Sequence, residues 1–179
     1  MQHPNIRWLS ALGLICSFGA TVPASGQEQG PFDPKTGLYG TAVTVRSTRA
    51  PDTLYASPSK IWNSLVKIYA EFGVPLTVAD TSRSVLGAIR VNQRKPIAGK
   101  RLSMLLECGS SAYGENADRY AVKLTWLTHV EELEDKRSVL EMRVSGDASP
   151  LGMSSTVTCA STGKLEELVA AALKKAAAS

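Results

Sequence analysis

Serines with a lysine one helical turn away, a lone histidine and a pair of cysteines are the residues of this sequence whose types and spacing could do chemistry. Ser57-Pro58-Ser59-Lys60 has the S-x-x-K spacing that sets a serine nucleophile beside an activating amine at a helix start. Such a site needs a third wall. Lys35-Thr36-Gly37 has the right composition, but it precedes the helix, and no S-D-N is present. Ser161-Thr162-Gly163-Lys164 repeats the S-x-x-K spacing, which shows how little a bare match demands. Helix capping accounts for both. His129 is the one histidine beyond the first few residues, so any Ser-His or Cys-His mechanism has to use it. Strand alternation puts it on the face opposite the core. No catalytic residue is expected.

The cysteines point elsewhere. Residues 1–26 read as a secretory signal peptide. Arg7 supplies the basic start, residues 8–22 the apolar run, and Ala24 and Gly26 the small residues ahead of a cut before Gln27. The run is too short for a comfortable membrane span, which takes roughly 20 apolar residues. Cys16 lies inside it behind Ile15, where a lipobox wants a small residue, so lipidation is not expected. Removing the leader leaves Cys108 and Cys159, an even pair in an exported chain, and a disulfide between them is the default. Without a C-x-x-C and with a single histidine, neither metal nor cofactor is expected.

Charge separates the remaining possibilities. The formal net charge is +4, and the leader takes one unit of it. Only one stretch concentrates it: Arg90, Arg94, Lys95, Lys100 and Arg101. No aromatic residue interleaves with this cluster, which argues against nucleic acid. An envelope protein, an anionic lipid or a cell-wall polymer fits better, and a solvated loop is the plain alternative. Glu131, Glu132, Glu134 and Asp135 read as a solvated turn, because paired carboxylates do acid–base work only in a pocket that splits their pKa values. A Gly/Ser-rich loop from Cys108 to Gly114, pinned by the disulfide, is a reasonable binding edge.

These residues need a frame. Residues 27–38 are a linker punctuated by Gly and Pro, and 39–179 form a single α+β domain. Strands are predicted at 41–47 and, as an extension or short neighbour, at 52–56. A helix is predicted over 57–72, with Ser57 as N-cap, Pro58 in the first turn and Gly73 as the left-handed stop. Strands follow at 74–79 and 85–92, the second with Val85, Ile89 and Val91 on one face and Gly87 leaving a gap or bulge among them. Residues 102–107 fit a strand or a helical turn equally. Alternation from 118 to 130 puts Val122, Leu124, Trp126 and Val130 inward, and 138–148 returns beside it. Residues 150–156 are a loop. A last helix starts near 162 on the stripe Leu165, Leu168, Val169, Leu173. The expected order is β-α-β-β-β-β-α, an antiparallel sheet with two amphipathic helices on one face. Trp62 and Trp126 should both be buried in it.

The segment Ala56-Ser57-Pro58-Ser59-Lys60-Ile61-Trp62, with Gly73, Val78-Ala79-Asp80 and Val85-Leu86-Gly87 after it, resembles exported bacterial proteins of uncharacterised role. More distantly it is similar to the repeated domains of BamC-like lipoproteins, which are helix-grip modules with a Trp-bearing first helix. A looser likeness exists to the START-like helix-grip fold. The BamC-like resemblance implies a periplasmic accessory or interaction role, the START-like one an apolar cavity. Neither carries over a functional residue. The expectation is therefore a non-enzymatic exported interaction module of the cell envelope. A small apolar-ligand or lipid carrier, with its cavity between sheet and helices, is the alternative. A hydrolase is the least favoured.

Overall fold

The computed structural model describes residues 51–152 and 154–178; the expected leader, linker, strand 41–47 and Lys35-Thr36-Gly37 lie outside them. The longest alternating stretches build the centre of a sheet. β7 (Ala121–Glu132) and β8 (Ser138–Ser149) pair over their whole lengths, with Trp126 opposite Val144 and Val130 opposite Leu140. β3 (Val85–Gln93) lies on the other side of β7, and β2 (Val78–Asp80) hairpins onto it. β9 (Val157–Ser161) and β1 (Asp52–Leu54) share the far edge of β8, and β4 (Leu106–Glu107) closes the sheet on β9. The order is β2-β3-β7-β8-β9-β4 with β1 beside β8, antiparallel throughout. A small separate ribbon, β5 (Ser110–Ser111) and β6 (Gly114–Glu115), precedes a four-residue helix, α2 (Asn116–Arg119).

The two amphipathic helices, α1 (Pro58–Glu71) and α3 (Lys164–Ala178), pack on one face of this α+β sheet. Ile61, Leu65 and Tyr69 of α1 and Leu165, Val169 and Leu173 of α3 join Leu124, Trp126, Leu140 and Val144 in one core. Tyr69 stacks on Trp126 at 3.8 Å between ring centroids, and Phe72 lies 6.2 Å from the same ring. The Tyr69 hydroxyl donates to the Trp126 carbonyl at 3.1 Å and is hydrogen-bonded to the Thr128 hydroxyl at 3.2 Å. Stacked aromatics add stabilisation beyond their buried area.

Several local expectations need correction. Ser57 precedes α1 in extended conformation but makes no side-chain cap; its hydroxyl lies 3.2 Å from that of Ser59. Gly73 does end the helix at φ +70°. Trp62 is only half buried, at the edge of the core rather than against Trp126. Residues 102–107 divide, Leu102–Met104 making a 3-10 turn before β4. The strand placed at 118–130 starts three residues later, because Asn116–Arg119 is helical.

Inside β3 the register shifts between Ala88 and Val91, where Arg90 takes φ +51°. This bulge flips the alternation. Leu86, Ala88 and Val91 face the helices, while Val85 packs with Leu127, Val78 and Ile89 on the other face. Val85 and Ile89 therefore do not share a face with Val91. Gly87 is required by a close approach, since a Cβ there would meet the Trp126 carbonyl and stand 2.8 Å from a Leu127 methyl.

Candidate functional site

The lysines of both S-x-x-K matches are engaged away from their serines. Lys60 sends its ammonium to the Ala177 carbonyl at 3.1 Å, tying α1 to the end of α3, while the Ser57 hydroxyl contacts Ser59. In the second match Lys164 pairs with Glu167 at 2.7 Å. Ser161 is buried and donates toward the Glu166 carboxylate, whose oxygens lie 2.7 and 2.8 Å away, while accepting the Gly163 N–H. His129 is half buried on the helix-free face, opposite Val85 and Glu141. Burial lowers its pKa more than the charges of Glu141 and Glu131 raise it. No group of three or more His, Cys, Asp and Glu able to hold a metal occurs among the described residues.

Cys108 and Cys159 are bonded, with Cα atoms 4.2 Å apart, closer than the 5–6 Å typical of disulfides. The register explains the closeness. Leu106 faces Ser161 and Glu107 faces Ala160, so Cys108 falls directly opposite Cys159 where two antiparallel strands draw together. The bond fixes the start of the Gly/Ser loop. The Asn116 backbone N–H then returns to the Gly109 carbonyl at 3.0 Å, and its side-chain amide donates to the Cys108 carbonyl at 3.0 Å. The β5–β6 ribbon and α2 are thereby held against the sheet.

That anchoring assembles a basic end. Gln93 ends β3 opposite Val122, and Ala121 opens β7 opposite Ser149, the last residue of β8. The residues just beyond these strand ends must meet. Arg94, Arg119, Tyr120 and Leu151 do, lining with Leu102, Ala117, Asp118 and Ala121 a cavity of about 110 Å³. Asp118 accepts the Ser103 backbone N–H at 2.9 Å and hydroxyl at 2.6 Å, and Arg101 lies 3.8 Å away. Burial pushes the Asp118 carboxyl up, but the Ser103 bonds and the Arg101 charge together hold it below the ordinary carboxylate range. Arg94, Lys95, Lys100 and Arg119 have no carboxylate partner among the described residues.

The predicted basic cluster is thus divided. Arg94, Lys95, Lys100 and Arg101 belong to the loop at this end. Arg90 is turned by the bulge to the helix-free face, where it pairs with Asp147 at 2.9 Å. Three members of the site come from segments that sequence reading did not connect to it. Arg119 was placed inside a strand. Tyr113, 79% exposed, lies with its ring centroid 5.7 Å from the Arg119 guanidinium carbon. Leu151, 69% exposed, follows β8. The legible signals were large apolar residues, Tyr113 and Leu151, standing alone in polar loops.

Two other concavities are distinct from this end. A groove of about 870 Å³ between α1 and α3 carries Lys60, Lys67 and Lys175 with Glu71. A cleft of about 250 Å³ beside Trp62 is lined by Pro58, Val130 and small polar residues. In comparison with known proteins, no family model and no curated protein matches this chain.

Proposed function

We propose that this chain is a non-enzymatic, exported accessory module that docks on an anionic lipid surface of the cell envelope through the basic end of its sheet. One observation carries the reading: Arg94, Lys95, Lys100 and Arg119 gather, without a carboxylate partner among the described residues, beside exposed Leu151 and Tyr113. Each Lys or Arg near an anionic bilayer contributes about 1 kcal/mol, and an apolar side chain among them enters the interface. The far end of the β7–β8 ribbon carries Glu131, Glu132, Glu134 and Asp135. Lys136 and Arg137 share that turn and offset half of its charge, so the acidic excess, roughly 40 Å away along a 12-residue strand, adds only modestly to turning the basic end toward a negative surface.

Export is supported by the leader-like residues 1–26 and by the disulfide. No helix among the described residues is long and apolar enough to cross a membrane. The structural roles of Ser57, Ser161 and His129 favour binding over hydrolysis. The carrier alternative is disfavoured because Trp126, Tyr69, Leu65, Leu165 and Leu173 fill the space between sheet and helices. The resemblance to helix-grip accessory modules belongs to the same reading.

The test is flotation of the processed protein with vesicles of phosphatidylcholine alone or mixed with phosphatidylglycerol. Binding to the anionic vesicles only, released at about 0.5 M salt where the screening length falls to a few ångströms, is the expected result. Equal binding to both vesicles, or to neither, would overturn the proposal.

A further inference from the structure

The cavity at the basic end is more than a patch of charge. At about 110 Å³ it has the volume of three to four water molecules. That is room for one tetrahedral oxyanion. Arg94 and Arg119 line it, and the planar fork of N–H donors that a guanidinium carries matches phosphate oxygens in pairs. The wall carboxylate does not cancel them. Asp118 is already engaged by Ser103 and Arg101. Leu102, Ala117 and Ala121 supply the apolar part of a wall whose other residues are polar or charged. The frame is stiff: Arg94 leaves a strand end, Arg119 lies in a helix that Ser103 holds through Asp118, and the Cys108–Cys159 bond fixes the preceding loop.

Resting on the reading that this end meets an anionic surface, we infer that the Arg94–Arg119 cavity is a single-occupancy site for a phosphate monoester. A monoester carries close to two negative charges at neutral pH, matching the charges of Arg94 and Arg119, which have no carboxylate partner among the described residues. A diester carries one charge and has a substituent on each side, so it suits the cavity less well. With the phosphate seated, Leu151 and Tyr113 stand at the rim where the rest of an amphiphile would lie.

The experiment is titration calorimetry of the processed protein with monomeric dihexanoyl phosphatidate, dihexanoyl phosphatidylglycerol and inorganic phosphate. One phosphatidate should bind per chain, more tightly than phosphatidylglycerol. Arg94→Gln and Arg119→Gln should each weaken it about tenfold or more, the loss expected for a charge-assisted hydrogen bond. Lys95→Gln with Lys100→Gln should change it about twofold or less while weakening vesicle flotation. Circular dichroism melts confirm that each variant is folded. Inorganic phosphate binding weaker than phosphatidate assigns the site to a lipid head group. Equal binding keeps the site and makes free phosphate its ligand. Absence of saturable binding, parity of the two lipids, or wild-type affinity in both arginine variants overturns the inference. Saturable phosphate binding without vesicle flotation sinks the membrane-docking proposal and leaves the cavity site standing.

Discussion

Trp126 and Arg119 are seven residues apart in the chain and meet opposite conditions. Trp126 is sealed between the sheet and α1, stacked on Tyr69 and flanked by Phe72. Arg119 stands at the end of the same sheet with a ring beside it and no carboxylate partner among the described residues. The helix-covered face collects groups whose only outlet is one another. The strand ends collect groups that the fold holds in place but leaves available. Stability and binding should therefore separate along the length of β7, and substitutions can test where the division falls.

The largest effect belongs to the sealed region. Trp126→Ala should destabilise the protein by about 3–5 kcal/mol in urea unfolding, as large-to-small core changes do. Trp126→Phe should cost about half of that or less. It keeps a ring against Tyr69, and the indole N–H it removes has no hydrogen-bond partner among the described residues. A Trp126→Ala protein with unchanged stability would mean that the aromatic stack is not the keystone of the core.

Next is the staple between the two regions. The bond closes a separation of 51 residues, for which chain-entropy reasoning gives about 4 kcal/mol. Cys108→Ala with Cys159→Ala should cost about 2–5 kcal/mol in urea unfolding. The same variant should also weaken vesicle binding, because the β5–β6 ribbon carrying Tyr113 loses its anchor. Lost stability with intact binding would show that the basic end holds its shape without the disulfide.

The sealed region was largely legible in the sequence, and the open end was not. Period-two alternation in β7 and β8 and helical spacing in α1 and α3 are strong because burial on one face enforces them. β9 escaped notice because Cys159 and Ser161 are its buried residues, small and partly polar, with exposed Val157, Thr158 and Ala160 between and before them. A gap or bulge is expected in β3 at Gly87, but the register shifts further on, between Ala88 and Val91, because a positive φ at an arginine has no local signature. That shift decided where Arg90 went. The basic end depends on which strand ends lie together, and Arg94, Arg119 and Leu151 come from three segments that only register joins. A linear cluster of charge finds one of those segments.

A smaller effect is expected at the boundary, from Asp118. Its folded pKa is lowered, so it contributes stability above the ordinary aspartate value near pH 4. That contribution is lost as pH falls through the lower folded value. Asp118→Asn should flatten the acid limb of the stability–pH curve measured by urea unfolding at a series of pH values. At neutral pH it should also bind phosphatidylglycerol vesicles more tightly, since one negative charge leaves the basic end. An unchanged acid limb would mean that the Ser103 and Arg101 contacts do not favour the ionised form.

The smallest effect on stability is expected where the effect on binding is largest. Arg94→Gln and Arg119→Gln remove no ion pair among the described residues and open no core cavity, so each should stay within about 0.5 kcal/mol of the parent in urea unfolding. Arg119 also sits over Tyr113, an exposed pair whose cation–π contact contributes about 0.5–1 kcal/mol at most before solvent weakens it. Both variants should nevertheless lose flotation with anionic vesicles in the same preparations whose melting is unchanged. The dissociation of the two readouts is what distinguishes a surface kept free for a partner from one that is merely solvated. If the arginine variants melted early, the cations would be structural and the division along β7 would have no functional meaning. If they neither melted early nor lost binding, the basic end would be an ordinary soluble rim, and the lysines of the α1–α3 groove would become the surface to test.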